Sequence, residues 1–310
     1  MKRILHTLAF GLVLIGMGMG SVQAQQLFRR SQFMTNSFLS NPAIAGTLPE
    51  TPVTMTFRNQ WTGFDGAPEI GGFSINTPIK KTNHSIGLTV VNDRVGISNN
   101  SEIFAAYSYK LKFNNSNYVT LGIAGSMMLM QSNLAELDII QESDPIFQSN
   151  TRTFVMPNAK FGAYYFRNKF YFGLAMPNLF KNNIEISQFT NFDPSNIHYF
   201  IHSGYQFDIN KDWEAQTSVL FKHVAGAPLQ VDINGQFVYN NLIGVGLCYR
   251  TSQELTAMLN YRISGQLKVG YAYDYNMRTI GNYSNGTHEI VLLFDLIKEK
   301  TTPIIEVPRF

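Results

Sequence analysis

From Val53 to Leu296 apolar and polar residues alternate with period two, segment after segment, and this pattern constrains the fold more than any other feature of the chain. In the clearest stretch Leu229, Val231, Ile233, Phe237 and Tyr239 oppose Gln230, Asp232, Asn234 and Gln236. Ile243, Val245, Leu247 and Tyr249 follow, then Leu255, Leu259 and Tyr261, and near the end Ile290, Leu292, Phe294 and Leu296. Period two sends successive side chains to opposite faces of a strand, so each segment has one apolar and one polar face. About fourteen such segments can be marked, most about 8–11 residues long, the length a tilted strand needs to cross a bilayer. After residue 24 no run of apolar residues is long enough for a spanning helix.

Connection lengths test this independently. If the chain enters from the periplasm, the periplasmic turns fall at 79–83, 114–117, 167–169, 208–212, 240–241 and 263–266, all short and rich in Asn, Asp, Gly and Lys. The opposite connections, 60–69, 93–101, 131–153, 178–196 and 276–286, are longer, while those near Gly226 and Gln253 are short and break the rule. The expected fold is therefore all-β: a transmembrane, antiparallel, up-and-down β-barrel of about fourteen strands in an outer membrane. Phe113, Tyr118, Phe166, Phe170, Phe207, Trp213, Tyr239 and Tyr261 cluster at the short turns, as an interfacial girdle would.

Composition agrees. Charged residues are only 15% of the chain, aromatics 13%, and mean hydropathy is near zero at -0.07. Lys2 and Arg3, an apolar core from Leu8 to Met19, and Val22-Gln23-Ala24 form the three parts of a secretory signal, with cleavage expected after Ala24. No cysteine stands at that junction, so a lipid anchor is not expected. The expected divisions are a signal peptide (1–24), a periplasmic or plug segment (25–52), the barrel (53–297) and a tail (298–310) whose Pro303 and Pro308 exclude a regular strand. The net charge is +3, of which the signal supplies two, and so weak a field argues against a nucleic-acid partner. Cys248 is the only cysteine, which precludes an internal disulfide and a Cys-based metal site.

Chemistry is sparse. His198 and His202 would suit a metal on a helix, but on a strand they sit about 13 Å apart, so they read as lumen-lining. No G-x-S-x-G elbow is present, and neither catalysis, cofactor, metal nor small-molecule substrate is expected. The polar face carries Arg58, Lys110, Lys160, Lys222, Arg250, Arg262 and Lys268 against Asp232, Asp274 and Glu289. These could be solvated in a pore, with a lean toward anions, or paired across a closed lumen.

Five motifs resemble one family. They are Asn41-Pro42-Ala43-Ile44-Ala45-Gly46 after Gln32-Phe33-Met34, and Arg58-Asn59-Gln60-Trp61-Thr62-Gly63-Phe64-Asp65-Gly66-Ala67-Pro68. Asn92-Asp93-Arg94-Val95-Gly96, Gly270-Tyr271-Ala272-Tyr273-Asp274 and Gly286-Thr287-His288-Glu289-Ile290 follow. In this order they resemble the type IX secretion system membrane proteins of the PorP/SprF type, found in Bacteroidetes. Departures are Glu69-Ile70 after the Gly66-Ala67-Pro68 triplet and the long tail. The resemblance implies a non-enzymatic outer-membrane barrel of type IX secretion or gliding motility. Its partners would be outer-membrane lipid and either periplasmic secretion subunits or a large secreted adhesin. A diffusion channel without a secretion role is the alternative. Asn41, Pro42, Gln60, Trp61, Gly63, Phe64, Gly66 and Pro68 are the expected partner-binding or lumen-closing residues, although folding the first hairpin would equally account for them.

Overall fold

The computed structural model describes residues 29–114, 116–134, 153–180, 184–187, 190–192, 197–224 and 227–296. The expected signal, the expected C-terminal tail, most of the 131–153 connection and the connection at Gly226 lie outside them. Fourteen strands close into one antiparallel barrel. They are β1 (Pro52–Asn59), β2 (Glu69–Pro78), β3 (His84–Val95), β4 (Ser98–Lys112), β5 (Asn117–Ser132), β6 (Phe154–Arg167) and β7 (Phe170–Met176). After a small separate hairpin, β8 (Ile184–Ser187) and β9 (Thr190–Phe192), come β10 (His198–Asp208), β11 (Trp213–Val224) and β12 (Gln230–Tyr239). The wall ends with β13 (Ile243–Arg250), β14 (Glu254–Arg262), β15 (Leu267–Asn276) and β16 (Thr287–Asp295). Each wall strand pairs with the next along the chain, and β1 closes the circle on β16 in register from Pro52↔Asp295 to Asn59↔His288.

The alternation read from the sequence is the in–out alternation of the wall. In β12 and β13, Ile233, Phe237, Val245 and Leu247 face outward, while Asp232, Asn234, Gln236, Cys248 and Arg250 are buried inside. The six expected short turns all fall at one end of the barrel. Asn240 and Asn241 there take φ of 47° and 54°, the left-handed pair that a tight hairpin turn requires.

Two expectations fail. The 93–101 connection is no loop, because β3 and β4 run on to a two-residue turn at Gly96 and Ile97. Its polar residues pair across the hairpin, Asn92↔Ser101 and Asp93↔Asn100, with Asn92 Nδ2 donating to Asn99 Oδ1 at 2.6 Å. A strand extending beyond the apolar band no longer needs lipid-facing residues, so its composition imitates a turn. In the aromatic belt, Tyr118 and Phe166 turn inward and stack at 5.2 Å, while Phe113, Phe170, Phe207, Trp213, Tyr239 and Tyr261 are exposed.

Candidate functional site

Residues 29–51 lie within the barrel. Arg29, Arg30 and Ser31 are near the long-loop end; the segment passes between the walls and leaves at the short-turn end, where β1 begins. Two kinds of contact hold it.

Toward β1 and β12–β16 the contact is charge. Arg58, the last inward residue of β1, pairs with Asp274 at 2.8 Å and with Glu289, its cross-strand partner, at 3.3 Å. Glu289 then accepts from two backbone amides of the inner segment, Ser31 N at 2.7 Å and Gln32 N at 2.8 Å. The Ser31 hydroxyl donates to Asp274 at 2.7 Å and accepts from Arg58. Arg250 reaches Asp232 at 3.1 Å, Glu254 at 2.5 Å and the Arg30 carbonyl at 2.8 Å. Arg29 pairs with Glu254 at 2.7 Å and Lys222 with Asp232 at 2.8 Å. Burial pushes the Arg30 guanidinium down to about 10, against the opposing pull of Glu289. On the facing wall Lys160 pairs with Glu102 at 2.5 Å and lies over the Phe104 ring. A buried charge is tolerated only when paired or hydrogen-bonded: Arg29, Arg58, Lys160, Lys222 and Arg250 each reach a carboxylate, and Arg30 donates to the Asn36 carbonyl at 2.6 Å and to the Ser40 hydroxyl.

Toward β3–β7 the contact is shape. Asn41 caps the 3-10 turn Pro42–Ile44, its Oδ1 accepting from Ala43 N at 3.0 Å. Its Nδ2 reaches the Ala163 and Leu174 carbonyls at 3.3 and 3.2 Å and faces His202 Nε2 at 3.1 Å. Gly122 and Gly162, cross-strand partners, make the space. A Cβ at Gly162 would stand 1.9 Å from Asn41 Oδ1, and one at Gly122 would stand 2.3 Å from Ala43 N. Gly87 likewise admits the Phe38 ring, which packs on Phe104 at 5.6 Å. Phe33, Met34 and Ala43 complete a core with Tyr164, Tyr171 and Phe200. His202 stacks on Tyr164 at 5.6 Å, and His198 lies edge-on to Phe200.

The eight candidate residues thus occupy two places. Asn41 and Pro42 are deep inside, whereas Gln60, Trp61, Gly63, Phe64, Gly66 and Pro68 form a rim loop at the long-loop end. Gln60 N donates to Pro68 O at 2.8 Å, closing the loop. Trp61 N donates to Thr287 Oγ1 at 3.1 Å, and Thr62 and Gly286–Asn285 exchange two backbone bonds at 2.8 Å, extending the β1–β16 seam beyond the strands. Gly96 N donates to Gly66 O at 2.8 Å. Trp61 has φ 51°, a strained value for so bulky a residue, and Phe64 is exposed.

The five motifs, far apart in sequence, converge on these contacts. Arg58, Asp274 and Glu289 come from three of them and meet in one ion cluster, while Gly66 and Gly96 join two at the rim. The match of the chain to a known family covers the same ground, residues 22–294 of "Type IX secretion system membrane protein PorP/SprF". The chain belongs to the PorP/SprF family.

No curated protein matches this PorP/SprF chain. Among solved structures it is similar to the P. putida toluene transporter TodX, at 10% identity and TM-score 0.49, covering 85% of this chain and 95% of that one. The Acinetobacter baumannii outer membrane protein Omp33 matches at 9% identity and TM-score 0.46 (80% and 98% covered), and the KdgM porin at 10% and 0.40 (79% and 99%).

Sequence reading missed Ser31, Gln32, Glu102 and Glu254. Glu102 borders the falsely expected loop and Glu254 the short connection at Gln253, so neither was counted as lumen-facing. Gln32 acts through its backbone amide and Ser31 through both its amide and its hydroxyl, and a sequence carries no signal for a backbone contact.

Proposed function

We propose that this PorP/SprF barrel is a non-enzymatic scaffold of the type IX secretion or gliding machinery. Its lumen is closed by the segment after the signal, and its rim loop 60–68 serves as a partner surface. Signal cleavage follows Ala24, the short turns face the periplasm, and the partner is a periplasmic secretion subunit or a large secreted adhesin. The observation that carries this reading is the inner segment itself, held from opposite walls by buried ion pairs and by glycine-framed contacts. Two cavities that border it among the described residues are small, about 110 and 40 Å³. A diffusion channel needs a continuous aqueous path, whereas a scaffold gains from a rigid, sealed core.

The test is a mild-detergent pull-down of tagged protein from outer membranes, with mass spectrometry and a planar-bilayer recording on the same preparation. Recovery of secretion subunits or one giant surface protein, with an electrically quiet barrel, is the expected result. A conducting barrel that brings down nothing would establish the channel instead. Trp61→Ala addresses the rim loop: unchanged assembly together with unchanged cargo localisation would leave that loop no partner role.

A further inference from the structure

The charges inside the barrel are not all neutralised alike. Arg58, Lys160, Lys222 and Arg250 each reach a carboxylate. Lys268 does not: among the described residues no carboxylate lies within ion-pair distance of its Nζ. Its direct cross-strand partner is another cation, Arg262, which bonds the carbonyl and side-chain oxygens of Asn241 at 2.9 and 3.0 Å. Like charges directly opposite on one face destabilise a strand pair, so the folded barrel bears a cost at this position.

The two cations line one cavity. It holds about 110 Å³ beside the inner segment, with Met34 and Leu48 as apolar walls and Gln266 as a neutral donor; Asp295 is its one carboxylate. A second pocket of about 20 Å³ is lined by the same pair together with Asn241, Gln236 and Asn260. Both lie at the short-turn end, where among the described residues Lys80, Lys81, Lys112, Arg167, Lys169 and Lys211 outnumber Glu50, Asp208, Asp212, Glu214 and Asp295.

We infer that this cavity receives the carboxylate of an acidic peptide segment that approaches the barrel from its short-turn end. Two cations a strand spacing apart suit a carboxylate, which accepts from a guanidinium and an ammonium together. The surrounding basic end raises the local concentration of an acidic partner and steers it inward. The cavity is lined by the inner segment and by inward-facing wall residues, which favours a chain from the aqueous phase over a lipid headgroup. Such a cavity would bind an acidic segment in a scaffold and in a channel alike.

The test uses the full-length barrel in nonionic detergent and fluorescein-labelled hexaglutamate, followed by anisotropy. Saturable binding is expected, weakened about tenfold in Lys268→Gln, the equivalent of about 1.4 kcal/mol, and further in Arg262→Gln/Lys268→Gln, because each variant removes a charge-assisted bond. Lys80→Gln/Lys81→Gln, on an exposed turn, should weaken it far less. Lys268→Gln leaves the Arg262–Asn241 bonds intact and relieves the like-charge pair, so heat-modifiable migration should show a folded barrel. Absence of saturable binding, or equal loss in the turn variant, overturns the site. Displacement of the peptide by short-chain phosphatidylglycerol at equal or lower concentration would reassign the cations to a phosphate headgroup and also overturn it.

Discussion

The two walls that grip the inner segment use different physics. Around β1 and β12–β16 the wall offers carboxylates and guanidinium groups, and the segment answers with backbone amides, a backbone carbonyl, the Ser31 hydroxyl and the Arg29 side chain. Around β3–β7 the wall offers absences, Gly87, Gly122 and Gly162, and the segment fills them with Phe38, Ala43 and Asn41. A charged contact tolerates small displacements but not loss of a partner; a glycine window tolerates neither an added methyl nor a shift. One wall therefore fixes the segment by chemistry and the other by volume, and the two should break in distinguishable ways.

The largest effect is expected from Arg58→Ala. It leaves Asp274 and Glu289 buried without that cation, and breaking a buried pair costs about 3–5 kcal/mol. Denaturant unfolding from micelles should show a loss of this size, and planar bilayers should show new conductance steps if the segment is freed at the long-loop end. An unchanged midpoint would remove the charged wall from the comparison.

Gly122→Ala comes next, at about 1–3 kcal/mol, because the new methyl meets the backbone of Ala43, which cannot rotate away. Gly162→Ala should cost less, since it meets the Asn41 side chain. Asn41→Ala alone removes a cap and leaves buried carbonyls short of a donor, at about 1–3 kcal/mol. Combining it with Gly162→Ala should cost less than the sum of the two single changes, because the clash disappears with the amide. Strict additivity in that cycle would show that the glycine window and Asn41 are not in contact.

The smallest change sharpens the charged side. Lys222→Gln leaves Asp232 its bond from Arg250, and the Lys222 side chain is partly exposed, so the cost should be about 1 kcal/mol or less. A loss as large as that of Arg58→Ala would mean that the two carboxylate clusters act as one.

The sequence by itself determined the barrel. Period two, strand length and the run of short turns at one end all follow from local rules: a side chain points in or out by its parity, and lipid demands apolar residues on one parity only. That local rule also explains the errors. Asn92 to Ser101 leave the apolar band and so look like a loop, and Tyr118 and Phe166 are aromatic yet lie on the inward parity. The candidate residues were legible as motifs but not as a site. Arg58, Asp274 and Glu289 lie in separate motifs, and nothing in their spacing says that they meet.

Only closure of the barrel decided that. Joining β1 to β16 sets Arg58 opposite Glu289, and the inner segment delivers Ser31 and Gln32 to the same carboxylates. The glycines of β5 and β6 become a window only when the register sets Gly122 opposite Gly162. Parity is written residue by residue, whereas register across the seam and the path of the inner segment depend on contacts between positions more than a hundred residues apart. The lumen's charges were therefore visible in the sequence, and their partners were not.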